Sequence, residues 1–320
     1  MTRSRKLADI AAAYAAGNPL SFRNKIINGS GIIGQRGTVN VTTTTPAYGT
    51  DRMLSGVVAG TGINVNLFKS SFGGSSSGLA HYISGSFTNG TPYWCQRIEA
   101  QNCQDLNSQW ITVSGLLYHD SGSTINFQPR ITKANAVDNF AGGVTAISTG
   151  ANIAVPTNTV TPFAVRFQLG SSDATNGLMF EIYTAATLTA ASKNFCLTDL
   201  QLEKGVIQTP FENRFLGVED FLSRRYYQQS GFGYGAPVNT SLVSLNFSFP
   251  VIFRAAPSYA LINGSSALIQ MAGGNISISS ISGQYFSNTS GIGLNCAGTF
   301  SIGASYVVSN QNAIGFSAEL

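Results

Sequence analysis

The sequence predicts a mostly β protein: one helix at the start, a β-sandwich, a short linking helix and a second, smaller β domain. Three observations predict it. Of 320 residues only 18 are Lys or Arg and 14 Asp or Glu, a charged share of 10% where ordinary domains carry about 25%. Gly, with 35 residues, and many Ser, Thr and Asn take their place. Short alternating apolar and polar runs recur between clusters of these turn formers. A helical bundle is excluded, because exposed helix faces are normally filled with Glu, Lys, Arg and Ala. Disorder needs low hydrophobicity and high net charge, whereas this chain is 43% hydrophobic with a net charge of +4. No run approaches the ~20 apolar residues that cross a bilayer, so no membrane insertion is expected.

Residues 1–19 open with Arg3, Arg5 and Lys6 and then alanines, a faint likeness to a signal peptide that Asp9 interrupts. Read as a helix, the segment puts Leu7, Ile10 and Tyr14 on one face and stops at Gly17-Asn18-Pro19. One helix of about 12 residues is marginal alone in water, so it is expected to pack, for instance on its own copies around a symmetry axis. Residues 20–215 form the first β domain, with alternation in Ile63-Asn64-Val65-Asn66-Leu67, Trp110-Ile111-Thr112-Val113 and Phe163-Ala164-Val165-Arg166-Phe167. Gly73-Gly74-Ser75-Ser76-Ser77-Gly78 lacks the Lys-Ser/Thr ending of a phosphate loop. A linking helix is expected within 216–228, from Val218 to Tyr227, with Glu219 and Asp220 near its start and Arg224 and Arg225 near its end, as the helix dipole favours. Residues 229–320 form the second β domain, in which Arg254 and Glu319 are the only charged side chains.

The composition also bounds function. No basic stripe is present, so nucleic acid is not an expected partner. Cys95, Cys103, Cys196 and Cys296 form no CxxC pair, which makes zinc ligation and a disulfide framework unexpected; spacing alone leaves open whether Cys95 and Cys103 meet across a hairpin. Glycan hydrolysis asks for two carboxylates about 5–10 Å apart. The first domain's acids, among them Asp51, Glu99, Asp120, Glu181 and Glu203, show no catalytic spacing, and the second domain holds Glu319 alone. His81 and His119 stand isolated and no serine nucleophile elbow appears. The chain therefore reads as no enzyme, with no cofactor.

Several stretches, in order, resemble a recurring type of bacteriophage tail-fibre and virion protein. Asn24-Lys25-Ile26-Ile27-Asn28-Gly29 with Gln35-Arg36-Gly37 is similar to that family's opening N-x-I-I-N-G … Q-R-G. Tyr48-Gly49-Thr50-Asp51-Arg52 resembles its Y-x-x-D-R-W, with Met53 where the Trp is expected. Gln96-Arg97-Ile98-Glu99 and Trp110 to Gly115 resemble its central strands. Gln201-Leu202-Glu203-Lys204-Gly205, Thr209-Pro210-Phe211-Glu212 and Arg225-Tyr226-Tyr227 resemble Q-L-E-x-G-x-x-x-T-P-F-E … R-Y-Y, and 249–257 resembles F-P-V-x-M-R-A-x-P. The resemblance implies a jelly-roll sandwich akin to carbohydrate-binding modules, in a virion protein that is often a homotrimer and is assembled in the bacterial cytoplasm. It implies attachment to other virion proteins through residues 1–19 and a host surface glycan as ligand. It also implies a structural Ca²⁺, for which Asp199 is the one candidate, against a plain turn-capping role. Within Gln201-Leu202-Glu203, alternation puts Leu202 inward and its neighbours outward.

Sugar recognition needs an aromatic platform and planar polar side chains. Tyr93, Trp94, Trp110 and Tyr118, with Asn102, Gln104, Asn107 and Gln109 between them, are candidates in the first domain. Tyr234, Tyr259 and Tyr285 are candidates in the second. The alternative is that Trp94 and Trp110 belong to the core, since Trp is highly buried on average, and that the charge-poor second domain buries its surface between subunits.

Overall fold

The computed structural model describes residues 22–229, 233–262, 267–271, 274–278, 280–300, 306–308 and 314–320. The N-terminal helix expected over 1–19, with Leu7, Ile10 and Tyr14, lies outside them. Among the described residues the protein is mostly strand, with few and short helices. It divides into two compact units, one up to Glu219 and joined by Leu320, the other from Asp220 to Glu319. Among the described residues no helix is long and apolar enough to cross a membrane.

The first unit is a sandwich of two antiparallel sheets. One contains β1 (Val39–Val41), β4 (Thr61–Ser71), β5 (Leu79–Ile98), β12 (Leu188–Lys204), β6 (Trp110–His119) and β10 (Thr161–Gln168), in that order. The other runs β2 (Ala47–Thr50), β3 (Met53–Val58), β5 again, β11 (Leu178–Thr184), β7 (Ile125–Ala136) and β8 (Asn139–Thr149), with β9 (Ile153–Val155) also on β7. The 20-residue β5 serves both: residues 79–90 pair with β4 and β12, and 91–98 with β3 and β11. The three alternating runs read from the sequence fall in β4, β6 and β10. Their apolar members, such as Val65, Leu67, Ile111, Val113, Phe163 and Phe167, are buried between the sheets with Trp94, Phe127, Phe180 and Phe195. All four cysteines are buried and none is bridged; burial pushes the Cys95 thiol up to about 12.

On β12 alternation holds in direction, with Leu202 in the core and Gln201 and Glu203 on the outer side, but that side does not face solvent. Gln201, Leu202 and Glu203 are all buried, because the segment 22–29 lies across the outer side of β12 and residues 209–212 fold back onto it. Backbone bonds Lys25 N–H to Leu202 O, 2.8 Å, and Leu200 N–H to Gly29 O, 2.9 Å, hold the segment down. The Asn24 side chain accepts from the Ile26 and Leu202 N–H groups and donates to the Leu200 carbonyl. Glu203 accepts from the Thr209 N–H at 2.8 Å and hydroxyl at 2.6 Å, and from the Gln201 amide at 3.0 Å. Gln201 in turn accepts from the Glu212 N–H, and Glu212 accepts from the Phe22 and Asn24 N–H groups. Arg214 pairs with Glu219 at 2.9 Å and donates to the Ile26 carbonyl, while Glu219 accepts from the Asn28 N–H at 2.8 Å. Only glycine fits at 29, where a Cβ would stand 2.1 Å from the Leu200 oxygen. The resembling stretches 24–29, 201–205 and 209–212 are thus parts of a buried polar clasp.

The helix begins at Leu216 and ends at Arg224, short of the expected Tyr227. Asp220 and Arg224 pair one turn apart at 2.7 Å. Tyr226 and Tyr227 are buried, and β13 (Tyr227–Gln229) pairs with β22 (Ile314–Ser317), so tertiary pairing overrides helical periodicity there. In the second unit, β22 also pairs with β16 (Ser258–Leu261). A seven-stranded sheet contains, in order, β18 (Gly274–Ile278), β17 (Ala267–Met271), β21 (Tyr306–Val308), β14 (Gly233–Asn239), β15 (Leu242–Ser248), β20 (Gly291–Ala297) and β19 (Ser280–Ser287). Val243, Leu245, Phe247, Ile292, Leu294 and Cys296 point from this sheet into a core shared with Phe253, Ile314 and Phe316. Residues 249–257, the stretch resembling F-P-V-x-M-R-A-x-P, form no strand; Pro250 and Pro257 lack donors, and Phe249 packs edge-on against Phe253, 4.6 Å between centroids.

Replacing Asn24 with Ala strips partners from two buried N–H groups and one carbonyl, so it is expected to cost about 3 kcal/mol, read as a lower urea midpoint. His81 is fully buried with its Nδ1 2.5 Å from the Thr50 hydroxyl, and desolvation lowers its pKa from 6.5 to about 4. The folded histidine stays neutral where the unfolded one protonates. Its contribution is therefore present above about pH 6.5 and is lost as pH falls toward 4, by about 3 kcal/mol in full. Urea midpoints measured across that window should fall with pH, and His81→Gln should flatten the slope.

Candidate functional site

A cleft of about 570 Å³ opens on the outer face of the second sheet of the sandwich. Alternation builds it. On β11, Phe180 and Ile182 face the core while Glu181 and Tyr183 face out; on β7, Phe127 and Ile131 face the core while Gln128 and Arg130 face out. On β5, Trp94 faces the core and Tyr93 the cleft. Direct register partners share a face, Tyr183 with both Tyr93 and Gln128, and Glu181 with Arg130.

The polar groups are fixed to one another. Arg130 donates to both oxygens of Glu181, Nε at 2.7 Å and Nη2 at 3.0 Å, a bidentate pair. Tyr93 donates to the same carboxylate at 3.0 Å, and Tyr183 donates to the Gln128 carbonyl oxygen at 3.2 Å. The Arg130 guanidinium sits 5.3 Å from the centre of the Tyr183 ring. The hydrogen bonds to Glu181 raise the Arg130 pKa against the opposing effect of burial. Burial pushes the Tyr93 phenol far above its usual range, and Cys95 and Glu181 add to it. Pro46, Leu54, Val58 and Thr91 supply apolar wall. Among the described residues Glu181 is the one carboxylate lining the cleft, and Arg130 takes up both of its oxygens.

The residues singled out in the sequence do not converge. Tyr93 lines the cleft. Trp94 is fully buried beside Phe127, 6.3 Å between ring centres, so neither face of its indole is open to a ligand. Trp110 is 43% exposed but lies on β6, in the opposite sheet, with Tyr118 on the same strand face roughly 26 Å away along the strand. Tyr118 packs edge-on against Phe72 and donates to Asn158 at 3.3 Å. Asn102 bonds Glu99, and Asn107 braces Ala174 and Thr175, so these two amides hold loops. In the second unit Tyr259 is half-buried against the core, whereas Tyr234 and Tyr285 are exposed on the seven-stranded sheet. Arg130, Tyr183 and Gln128 were not singled out; in a chain this poor in charge, an Arg flanked by inward apolar residues on one strand and a Glu so flanked on another were the available signal.

Asp199, in the left-handed region at φ 49°, accepts from both the Ser76 N–H, 2.8 Å, and the Ser76 hydroxyl, 2.7 Å. Donors aimed at the carboxylate are the reverse of what a calcium ion needs, and no group of three His, Cys, Asp or Glu among the described residues could hold a metal. The site does not fit Ca²⁺; Asp199 caps the 73–78 loop.

No protein-family model matches the chain, and no curated protein does. Among solved structures it is similar to the N-terminal xylanase 10B of Clostridium thermocellum, CBM22-1 and GH10 modules with xylohexaose. The identity there is 9%, the TM-score 0.37, and the match covers 58% of this chain and 29% of that one. It is similar to the CBM22-1 xylan-binding domain of Paenibacillus barcinonensis Xyn10C, at 9% identity and TM-score 0.33, over 58% of this chain and 96% of that domain. It is also similar to the enzymatically active domain of tailspike protein 4 of bacteriophage CBA120, at 10% identity and TM-score 0.32, over 57% of this chain and 22% of that one.

Arg130→Ala leaves Glu181 buried without its main counter-charge and should destabilise the sandwich by about 2–3 kcal/mol. Arg130→Lys should restore only part of this, because an ammonium cannot make the bidentate pair. Thermal unfolding of both variants checks the order.

Proposed function

We propose that the chain is a non-catalytic structural protein of a phage tail or fibre, whose sandwich holds an oligosaccharide of the host surface in the cleft on the second sheet. The observation that carries the sugar reading is the row Tyr93–Glu181–Arg130–Tyr183. Two tyrosines are direct register partners, and the planar guanidinium and carboxylate of the next outward-facing pair along the strands are fixed against them. Stacking on the apolar face of a sugar ring and planar hydrogen bonding to its hydroxyls are what such a surface offers. The phage reading rests on the order and content of the sequence motifs, and homotrimer formation and attachment through residues 1–19 belong to it.

A second reading, an architectural virion protein without a receptor, draws on a different observation. The stretches 24–29, 201–205 and 209–212, which resemble virion proteins most specifically, fall in the buried clasp, and of the resembling motifs it is Arg97 that lines the cleft, so the resemblance by itself speaks for a scaffold. Binding separates the two. The full chain is to be titrated with cellohexaose, xylohexaose, maltohexaose and β-1,4-galactotetraose, followed by saturation-transfer NMR. The sugar reading expects at least one to bind, and Tyr183→Ala to weaken it about tenfold with an unchanged melting temperature. Absence of binding across the panel would leave the scaffold reading, and binding with affinity indifferent to Tyr183→Ala would take the sugar site out of this cleft.

A further inference from the structure

The second unit carries an aromatic surface that is built differently. β19 pairs with β20 through a bulge between Gln284 and Phe286, so Tyr285 is an extra residue with no register partner. The bulge brings two consecutive aromatics onto the same glycine: an ideal Cβ at Gly293 would lie 2.3 Å from the Tyr285 ring and 2.6 Å from Phe286. Gly293 is buried although it alternates with the core residues Ile292 and Leu294. The Tyr285 ring thus lies over the Gly293 backbone and reaches the next strand, where its hydroxyl donates to Asn246 Oδ1 at 2.7 Å. Asn246 is paired with Gly293 on one side and with Tyr234 on the other. Tyr234 is 63% and Tyr285 47% exposed.

We propose that Tyr285 and Tyr234, with Asn246 between them on the Gly293 floor, form a stacking platform for an uncharged sugar ring, separate from the cleft of the first unit and independent of it. One ring face rests on the sheet, the hydroxyl is pinned, and the other face is open, so little conformational freedom remains to be lost on binding. The Asn246 carbonyl oxygen is taken by Tyr285, and that of Asn295 by Ser244 at 2.6 Å. This turns both amide NH₂ groups into donors for sugar hydroxyls. An uncharged ligand follows from the charge map: in residues 229–320 only Arg254 and Glu319 are charged, neither lies on a strand of this sheet, and Arg254 donates to the Ala318 carbonyl. A second protein chain is a poorer fit. Tyr234, Tyr285 and Phe286 expose roughly 300 Å² between them, against roughly 800 Å² per partner in a stable interface.

The test uses the full chain carrying Tyr183→Ala, so that the first cleft is weakened, with the same four neutral oligosaccharides as probes. Saturation-transfer signal to at least one should persist and fall tenfold or more in Kd terms when Tyr285→Ala is added. Tyr285→Phe, which keeps the ring and removes the bond to Asn246, should lose less. Circular dichroism and melting temperature should stay unchanged for both, since Tyr285 is exposed. Persisting binding that Tyr285→Ala leaves alone overturns the proposal, and so does absence of binding of every probe. Sedimentation that shifts to a smaller species with Tyr285→Ala overturns it in favour of contact between copies.

Discussion

The clasp between residues 22–35 and 199–219 is the constraint on which the first unit depends. A sandwich sheet normally turns one face to water, yet the outer side of β12 is covered by an extended segment that forms no strand. Covering a sheet face with backbone is possible only if every buried donor and acceptor is answered. Asn24, Gln201, Glu203, Thr209 and Glu212 do that for the backbone around them. Asn28 does it for the turn that follows, donating to the Ile33 and Asp51 carbonyls and accepting from the Ile33 N–H. The left-handed conformation at Asn28 is one that Asn tolerates better than most residues.

That constraint also explains where the few charges sit. Glu203, Glu219, Asp51 and Glu181 are all buried, each facing an arginine: Arg23, Arg214, Arg36 and Arg130. Three of these pairs lie in the clasp or the turn leading from it and serve the fold. The fourth, Arg130 with Glu181, lies at an open cleft between two tyrosines. The same chemistry, a planar cation held by a planar anion, is covered by backbone in the clasp and left open at the cleft.

The second unit resolves the same demand without charge. Ser and Asn side chains bond one another and the strand edges, as in Ser244 with Asn295 and Asn288 with the Ser290 and Gly291 N–H groups. Its aromatics divide between the core and the outer sheet face. Phe247, Phe253 and Phe316 fill the inside, while the bulge at Tyr285 adds one residue to an edge strand and so aims a ring outward that strict alternation would place elsewhere.

Much of the fold was legible in the residues. The scarcity of charge and the alternation in β4, β6 and β10 determined a β-rich chain, and the order of acidic and basic residues placed a helix over Val218–Tyr227, which overlaps the Leu216–Arg224 helix but runs three residues past its end. Two-residue periodicity also placed the apolar members of β4, β6 and β10 in the core, whereas Tyr93 was a candidate by residue type alone, together with its neighbour Trp94. Periodicity reports only the strand's own two faces, however. It could not tell that backbone from 170 residues away would bury Gln201 and Glu203, because that depends on a long-range hydrogen-bond network. Nor could it tell that Trp94 would turn inward beside an outward Tyr93, or that Arg130 and Glu181, 51 positions apart, would meet. Composition and alternation are local properties and determined the β class; strand pairing brings distant residues together, and it alone decided the clasp, the cleft and the Tyr285 platform.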